Sequence, residues 1–136
     1  MNKNPLLAVL PLLAPPCSPA QTLTRGAYLQ NSGTTAITVR WRTATAADSV
    51  VRYGTAAGRL TQSAKVNETR TEHEVRLTGL TSGTKYYYSI GTSSATLAGD
   101  SSYCFVTAPV AGKPTRVWVL GDSGKGSTGQ AQVRDA

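Results

Sequence analysis

Residues 75–88 read Val75-Arg76-Leu77-Thr78-Gly79-Leu80-Thr81-Ser82-Gly83-Thr84-Lys85-Tyr86-Tyr87-Tyr88. Val75 and Leu77 alternate with polar residues, which is the period of a half-buried strand. Gly79 to Thr84 then supplies two glycines and small hydroxyl residues, the material of a tight corner. From Lys85 to Ile90 alternation resumes, with Tyr86, Tyr88 and Ile90 on one face and Lys85, Tyr87 and Ser89 on the other. Strand, corner and strand in so few residues predict an antiparallel pair. A tyrosine that opens a strand can bury its ring while its hydroxyl satisfies loop backbone.

Outward from this block, the same grammar repeats between Arg25 and Thr107, with turn signals every eight to twelve residues, as in antiparallel sandwiches and barrels. Arg25 to Gln30 reads as an edge strand, followed by the turn Asn31-Ser32-Gly33. Ala36 to Arg42 alternates, with Ile37, Val39 and Trp41 inward and Thr38, Arg40 and Arg42 outward. Val50 to Tyr53, Leu60 to Val66, His73 to Thr78, Lys85 to Ile90 and Tyr103 to Thr107 complete the set, and Gly91 to Gly99 reads as a small-residue loop. The expectation is a mainly β fold: a seven-stranded sandwich of immunoglobulin-like size.

The two ends differ from this middle. Asn2 and Lys3, the apolar run Leu6 to Leu13, and Ser18-Pro19-Ala20 outline a secretory signal peptide over residues 1–20, cleaved before Gln21. Its apolar run is shorter than the about 20 residues of a membrane span, and Pro15-Pro16 before Cys17 fits a lipid-attachment site poorly. The expected location is secreted or periplasmic, with no membrane attachment after cleavage. At the other end, Val117-Trp118-Val119-Leu120 closes on Gly121-Asp122-Ser123-Gly124. A continuous apolar run ended by a glycine turn reads as a strand buried on both faces. Asp122 then stands where open α/β sheets place ligands. Ser127 to Ala136 is compatible with a helix start, so residues 111–136 read as the truncated strand–loop–helix opening of a second domain, after a sandwich domain over residues 21–110 and a short Pro/Gly linker.

Fourteen Lys and Arg against seven Asp and Glu give a formal charge of +7. The nine arginines and five lysines are spread singly along the predicted strands, the pattern of a solvated sheet face and not of a nucleic-acid surface. After signal cleavage Cys104 is the one cysteine of these residues, so no bridge forms within them; it reads as a small inert hydrophobe, the alternative being a pairing with a cysteine beyond them. Gly124-Lys125-Gly126-Ser127-Thr128-Gly129 fits a dinucleotide-binding spacing, but Asp122-Ser123 intrudes between the strand and the first glycine. Asn67-Glu68-Thr69 is a formal glycosylation sequon. His73 reads as a structural residue at a strand end, and Tyr87 as cross-strand packing or a domain contact.

Two resemblances follow from these residues. The block Val75 to Tyr88 resembles the corner of a fibronectin type III-like domain, which implies that Trp41, Leu80 and Tyr86 are structural anchors. The order of signal, sandwich, linker and Gly121-Asp122-Ser123-Gly124 resembles the N-terminal part of purple acid phosphatase-like metallophosphoesterases. That resemblance implies a phosphate-ester substrate and a divalent or trivalent metal pair, iron with zinc, manganese or iron. It also implies that Asp122 ligates one metal, and that a catalytic domain packs on the sandwich. In such pairs the metals generate a nucleophile and hold the phosphoryl oxygens. The family's later metal-binding blocks lie outside this sequence, so these residues on their own are expected to be inactive, with no catalytic group among them. The alternative reading is an exported binding or adhesion module without catalysis.

Overall fold

The computed structural model describes residues 21–114. Among these residues, six strands form one antiparallel, curled sheet: β1 (Leu23–Gln30), β2 (Ile37–Gly54), β3 (Gln62–Leu77), β4 (Lys85–Gly91), β5 (Thr96–Ala98) and β6 (Cys104–Val106). No helix occurs among the described residues.

The long hairpin β2–β3 carries the architecture. Ile37 to Arg42 of β2 pairs with Leu77 to Glu72 of β3, and Ser49 to Tyr53 pairs with Val66 to Gln62. Between these ladders the register slips twice, around Ala47↔Arg70. Slips of this kind bend a strand. The opposite edge of β2 changes partner across the bend: Thr38 to Thr43 pairs with β1, and Val50 to Gly54 pairs with β4. The sheet therefore folds over on itself, and its two halves share one core. Ile37, Val39, Trp41, Val75 and Leu77 come from one half, and Val51, Tyr53, Tyr86, Tyr88, Ile90 and Phe105 from the other.

The expected seven strands become six among the described residues. Two expected strands (36–42 and 50–53) are one continuous β2, and two more (60–66 and 73–78) are one continuous β3. The polar stretches between them break the alternation and so read as loops, yet they keep extended backbone through the bend. In the other direction, part of the expected loop 91–99 is strand β5, paired through Ile90↔Ala98 and Gly91↔Thr96. β5 and β6 run along β4 in turn, separated by residues 99–103, where Asp100 accepts from the Ser102 amide at 2.7 Å.

The corner between β3 and β4 is bound to its surroundings. Gly79 has φ of 70°, a conformation that costs a side-chain-bearing residue but not glycine. The Leu80 amide donates to the Thr35 carbonyl at 3.0 Å, and Leu80 itself is 5 % exposed. Thr107, buried just after β6, donates its hydroxyl to the Thr81 carbonyl at 2.6 Å and accepts from the Thr84 amide at 3.0 Å. Ala108 donates to Gly33 at 3.0 Å and accepts from Gly83 at 3.2 Å. The chain thus leaves the sheet from a point pinned to both the corner and the β1–β2 turn.

Candidate functional site

Asp122, the residue expected to ligate a metal, lies outside the described residues, as do the expected signal segment, the strand at 117–120 and the helix start after Ser127. Among the described residues, no three His, Cys, Asp or Glu side chains converge as a metal site would require. The donor chemistry agrees. His73 uses both ring nitrogens on hydroxyls, and Glu72, Glu74, Glu68 and Asp48 are each paired with a cation. The described residues do not fit a metal pair.

The three anchor positions all lie in the core. Trp41, on β2, is 1 % exposed and lies parallel to the His73 ring, centroids 4.8 Å apart and planes 4° apart. Leu80 fills the core beneath the corner. Tyr86, at the start of β4, stacks on Phe105 at 5.5 Å, and its phenolic oxygen accepts the Thr81 amide at 3.0 Å. That bond spans five residues of corner and leaves the ring buried, so the side chain satisfies loop backbone from inside the core.

His73 sits in the interior of β3, opposite Trp41, and not at a strand end. It is 1 % exposed. Its Nε2 lies 2.7 Å from Thr43 Oγ1, and its Nδ1 lies 2.8 Å from Ser49 Oγ. Thr43 donates its hydroxyl hydrogen to the Thr45 carbonyl at 2.7 Å. A carbonyl can only accept, so Thr43 must accept from Nε2–H, and Nδ1 must accept from Ser49. One neutral tautomer satisfies the whole chain. Burial holds the imidazole below its ordinary pKa, although the charges of Glu72 and Asp48 pull it the other way.

On the outer surface, one half of the sheet is laced by charge pairs. Gln30 accepts from Arg40 at 3.2 Å, Arg40 meets Glu74 at 3.1 Å, and Arg42 meets Glu72 at 2.9 Å. An open cleft of about 410 Å³ beside this ladder is lined by Thr24, Arg25, Arg42, Thr43, Ala44 and Thr71. It opens where β1 slips its register against β2, and it reaches Thr43. Beyond the bend, Asp48 accepts from both the amide and the hydroxyl of Ser93 and meets Lys65 at 3.4 Å. These bonds, the Ser93 hydroxyl first, hold its carboxyl below the usual range. Tyr87 is partly covered by the Lys85 ammonium, 5.0 Å above its ring, and Cys104 is half-buried on β6. Asn67 is exposed within β3, near the bend. Trp41 Nε1 and Arg52 Nη1 are buried without a hydrogen-bond partner among the described residues.

Of these features, the histidine network is the one that the sequence reading misses. The signal for it lies in the alternation: positions 73, 75 and 77 share a face, as do 37, 39, 41 and 43, so His73 and Thr43 belong with the inward residues.

Comparison with known proteins places this geometry. Eleven chains among the solved structures match. One comes from a computer-based redesign of a β-sandwich protein, with 18% identity and a TM-score of 0.46, covering 62% of this chain and 93% of that one. No curated protein matches. The family described as purple acid phosphatase, N-terminal domain, matches residues 25–107, from Arg25 within β1 to the buried Thr107. That match takes in all six strands except the first two residues of β1, and it spans more than half of the chain. The chain belongs to the purple acid phosphatase N-terminal domain family.

Proposed function

We propose that this chain is the leading part of an exported, metal-dependent hydrolase of phosphate monoesters. The observation that carries the reading is an order: the family match over residues 25–107, followed after a short Pro/Gly linker by an apolar run that ends in Gly121-Asp122-Ser123-Gly124. The family match favours this over a free-standing binding module. In this reading residues 1–20 direct export, and residues 111–136 open the catalytic domain. Asp122 is one ligand of a metal pair that supplies Lewis-acid activation of the phosphate ester when bound. A lone carboxylate holds no such pair, so the 136 residues by themselves are expected to be inactive.

The sandwich in this reading is a support, and its exit suits that role. Thr107 and Ala108 are tied to the corner and to the β1–β2 turn, and the Pro/Gly stretch that leads on from them to Pro114 is six residues long. Six residues span at most about 20 Å, so a body that follows stays against the sandwich. Val106 and Val110, exposed by 58% and 52%, lie at this exit and offer it apolar contact.

The test is to express these residues together with their genomic continuation and to assay phosphomonoester hydrolysis with and without a chelator. Chelator-sensitive hydrolysis that falls at least about 100-fold in Asp122→Asn is expected, since disturbing even the outer shell of a metal site costs about 10–100-fold. Hydrolysis indifferent to both the chelator and Asp122 sinks the metal reading. No hydrolysis of any phosphate ester by the metal-loaded product returns the binding module to first place.

A further inference from the structure

We propose that His73, with Thr43 and Ser49, forms an acid-released latch at the bend of the β2–β3 hairpin. Thr43 lies before the bend and Ser49 after it, six residues apart on β2, and His73 of β3 bonds both. The two hydroxyls are themselves buried, at 2 % and 1 % exposure. One imidazole therefore fastens the two halves of a strand whose backbone pairing is slipped between them.

The latch works in one protonation state. In the neutral ring, Nε2–H donates to Thr43 and Nδ1 accepts from Ser49. When the ring takes a proton, Nδ1–H becomes a donor and the Ser49 oxygen must accept from it. The Ser49 hydroxyl hydrogen then turns away, and nothing among the described residues accepts it: its one hydrogen-bond partner there is the ring. Thr43 cannot relieve this, because its own hydrogen is held by the Thr45 carbonyl. A cation is thus added to a buried site, and one buried hydroxyl hydrogen is left without an acceptor.

The surrounding charges do not cancel this. Glu72 and Asp48 act on the ring in favour of the cation, but Glu72 is engaged by Arg42, and Asp48 by Lys65 and Ser93. Of the other charged groups on the adjoining strands, Glu74 is paired with Arg40 and Arg70 with Glu68, and Arg25 on β1 lies over Tyr28. Stacking on Trp41 gives a protonated ring some cation–π return, while burial, the larger influence, lowers the ring's affinity for a proton.

The sign follows from linkage. The folded-state pKa lies below the unfolded value of 6.5, so the latch's full contribution is present above pH 6.5 and is lost as pH falls toward the folded value. In that window the open state binds one proton more, and the opening constant rises by up to about tenfold per pH unit.

The experiment uses the 136-residue chain, whose single histidine gives an unambiguous imidazole resonance. Amide exchange at residues 43–49 and 66–73, normalised for intrinsic rates, is measured at pH 7 and pH 5. The expected result is an acceleration at this bend, by up to about tenfold per pH unit below 6.5, with little change in Val75 and Leu77, and an imidazole that titrates below 6.5. In His73→Gln, which bonds without charging, the acceleration disappears. An unaccelerated bend at pH 5 overturns the latch, as does an ordinary titration near 6.5 with exchange unchanged. Should His73→Gln fail to fold, Ser49→Ala removes the conflicting hydrogen: the proposal requires a smaller acid acceleration there, and an undiminished one overturns it.

Discussion

Tyr86 shows how one atom can matter to a corner. Its oxygen accepts the Thr81 amide from within the core. Tyr86→Phe keeps the ring and its stack on Phe105 but leaves that amide without its acceptor, so a loss of about 1–2 kcal/mol is expected. Urea unfolding monitored by tryptophan fluorescence measures it. Leu80→Ala removes a 5 %-exposed side chain from the core under the same corner, and about 2–4 kcal/mol is expected by the same measurement. These two residues are legible in the sequence because apolar and aromatic side chains bracket a glycine-rich turn. His73 is only half legible: its inward phase can be read from Val75 and Leu77, but its partners cannot. Thr43 and Ser49 come into reach through a bend that no local pattern encodes.

Elements are legible where both faces differ, and obscure where they do not. β4 alternates in its sequence, although Ser89 of the expected outer face is buried too, and its expected bounds, Lys85 to Ile90, differ from the observed by one residue. The bend in β2 runs through Thr45, Ala46, Ala47 and Asp48, small or polar residues that signal a loop, yet pairing with β3 continues across it. β5 is hidden for another reason. It is three residues long, and Gly99 at its end runs close against Ser89 of β4. A Cβ on Gly99 would stand 2.6 Å from Ser89 Cα, on a residue whose φ is +147°. Gly99→Ala must therefore push β5 off β4, at a cost of about 2 kcal/mol or more. The expected sign is faster amide exchange at residues 96–98, with the β2–β3 ladder unchanged.

Over the whole molecule, acid acts at two depths. Asp48 is held below its ordinary pKa of 3.8 by Ser93 and Lys65. Its contribution is present above that value and is lost as pH falls below it toward the folded-state value. Asp48→Asn should therefore flatten the stability profile below about pH 4, while between about 7 and 5 the loss of its charge leaves the acid effect at His73 at least as strong. Urea midpoints across about pH 3 to 7 check this, and they separate the carboxylate from the histidine. The overall class, antiparallel β with a shared core, is legible because alternation survives in nearly every strand. The catalytic side is legible only as a resemblance, because a single aspartate in a glycine turn has many ordinary uses.

The unbroken β2–β3 hairpin has a consequence for the order of assembly. Both halves of the curled sheet are built on neighbouring stretches of chain, joined by the short connection at residues 55–61. Closing a loop that short takes well under a microsecond, whereas β1 and β4 must find edges that the hairpin has already laid down, and β6 an edge of β4. Folding should start at that connection and travel toward the bend, with mutations in Val51 and Ala64 slowing refolding and mutations in Leu29 or Phe105 mainly speeding unfolding. The strand that leads onward to residue 114 would then be the last to dock, so that a growing chain completes its sandwich only as the residues beyond it emerge.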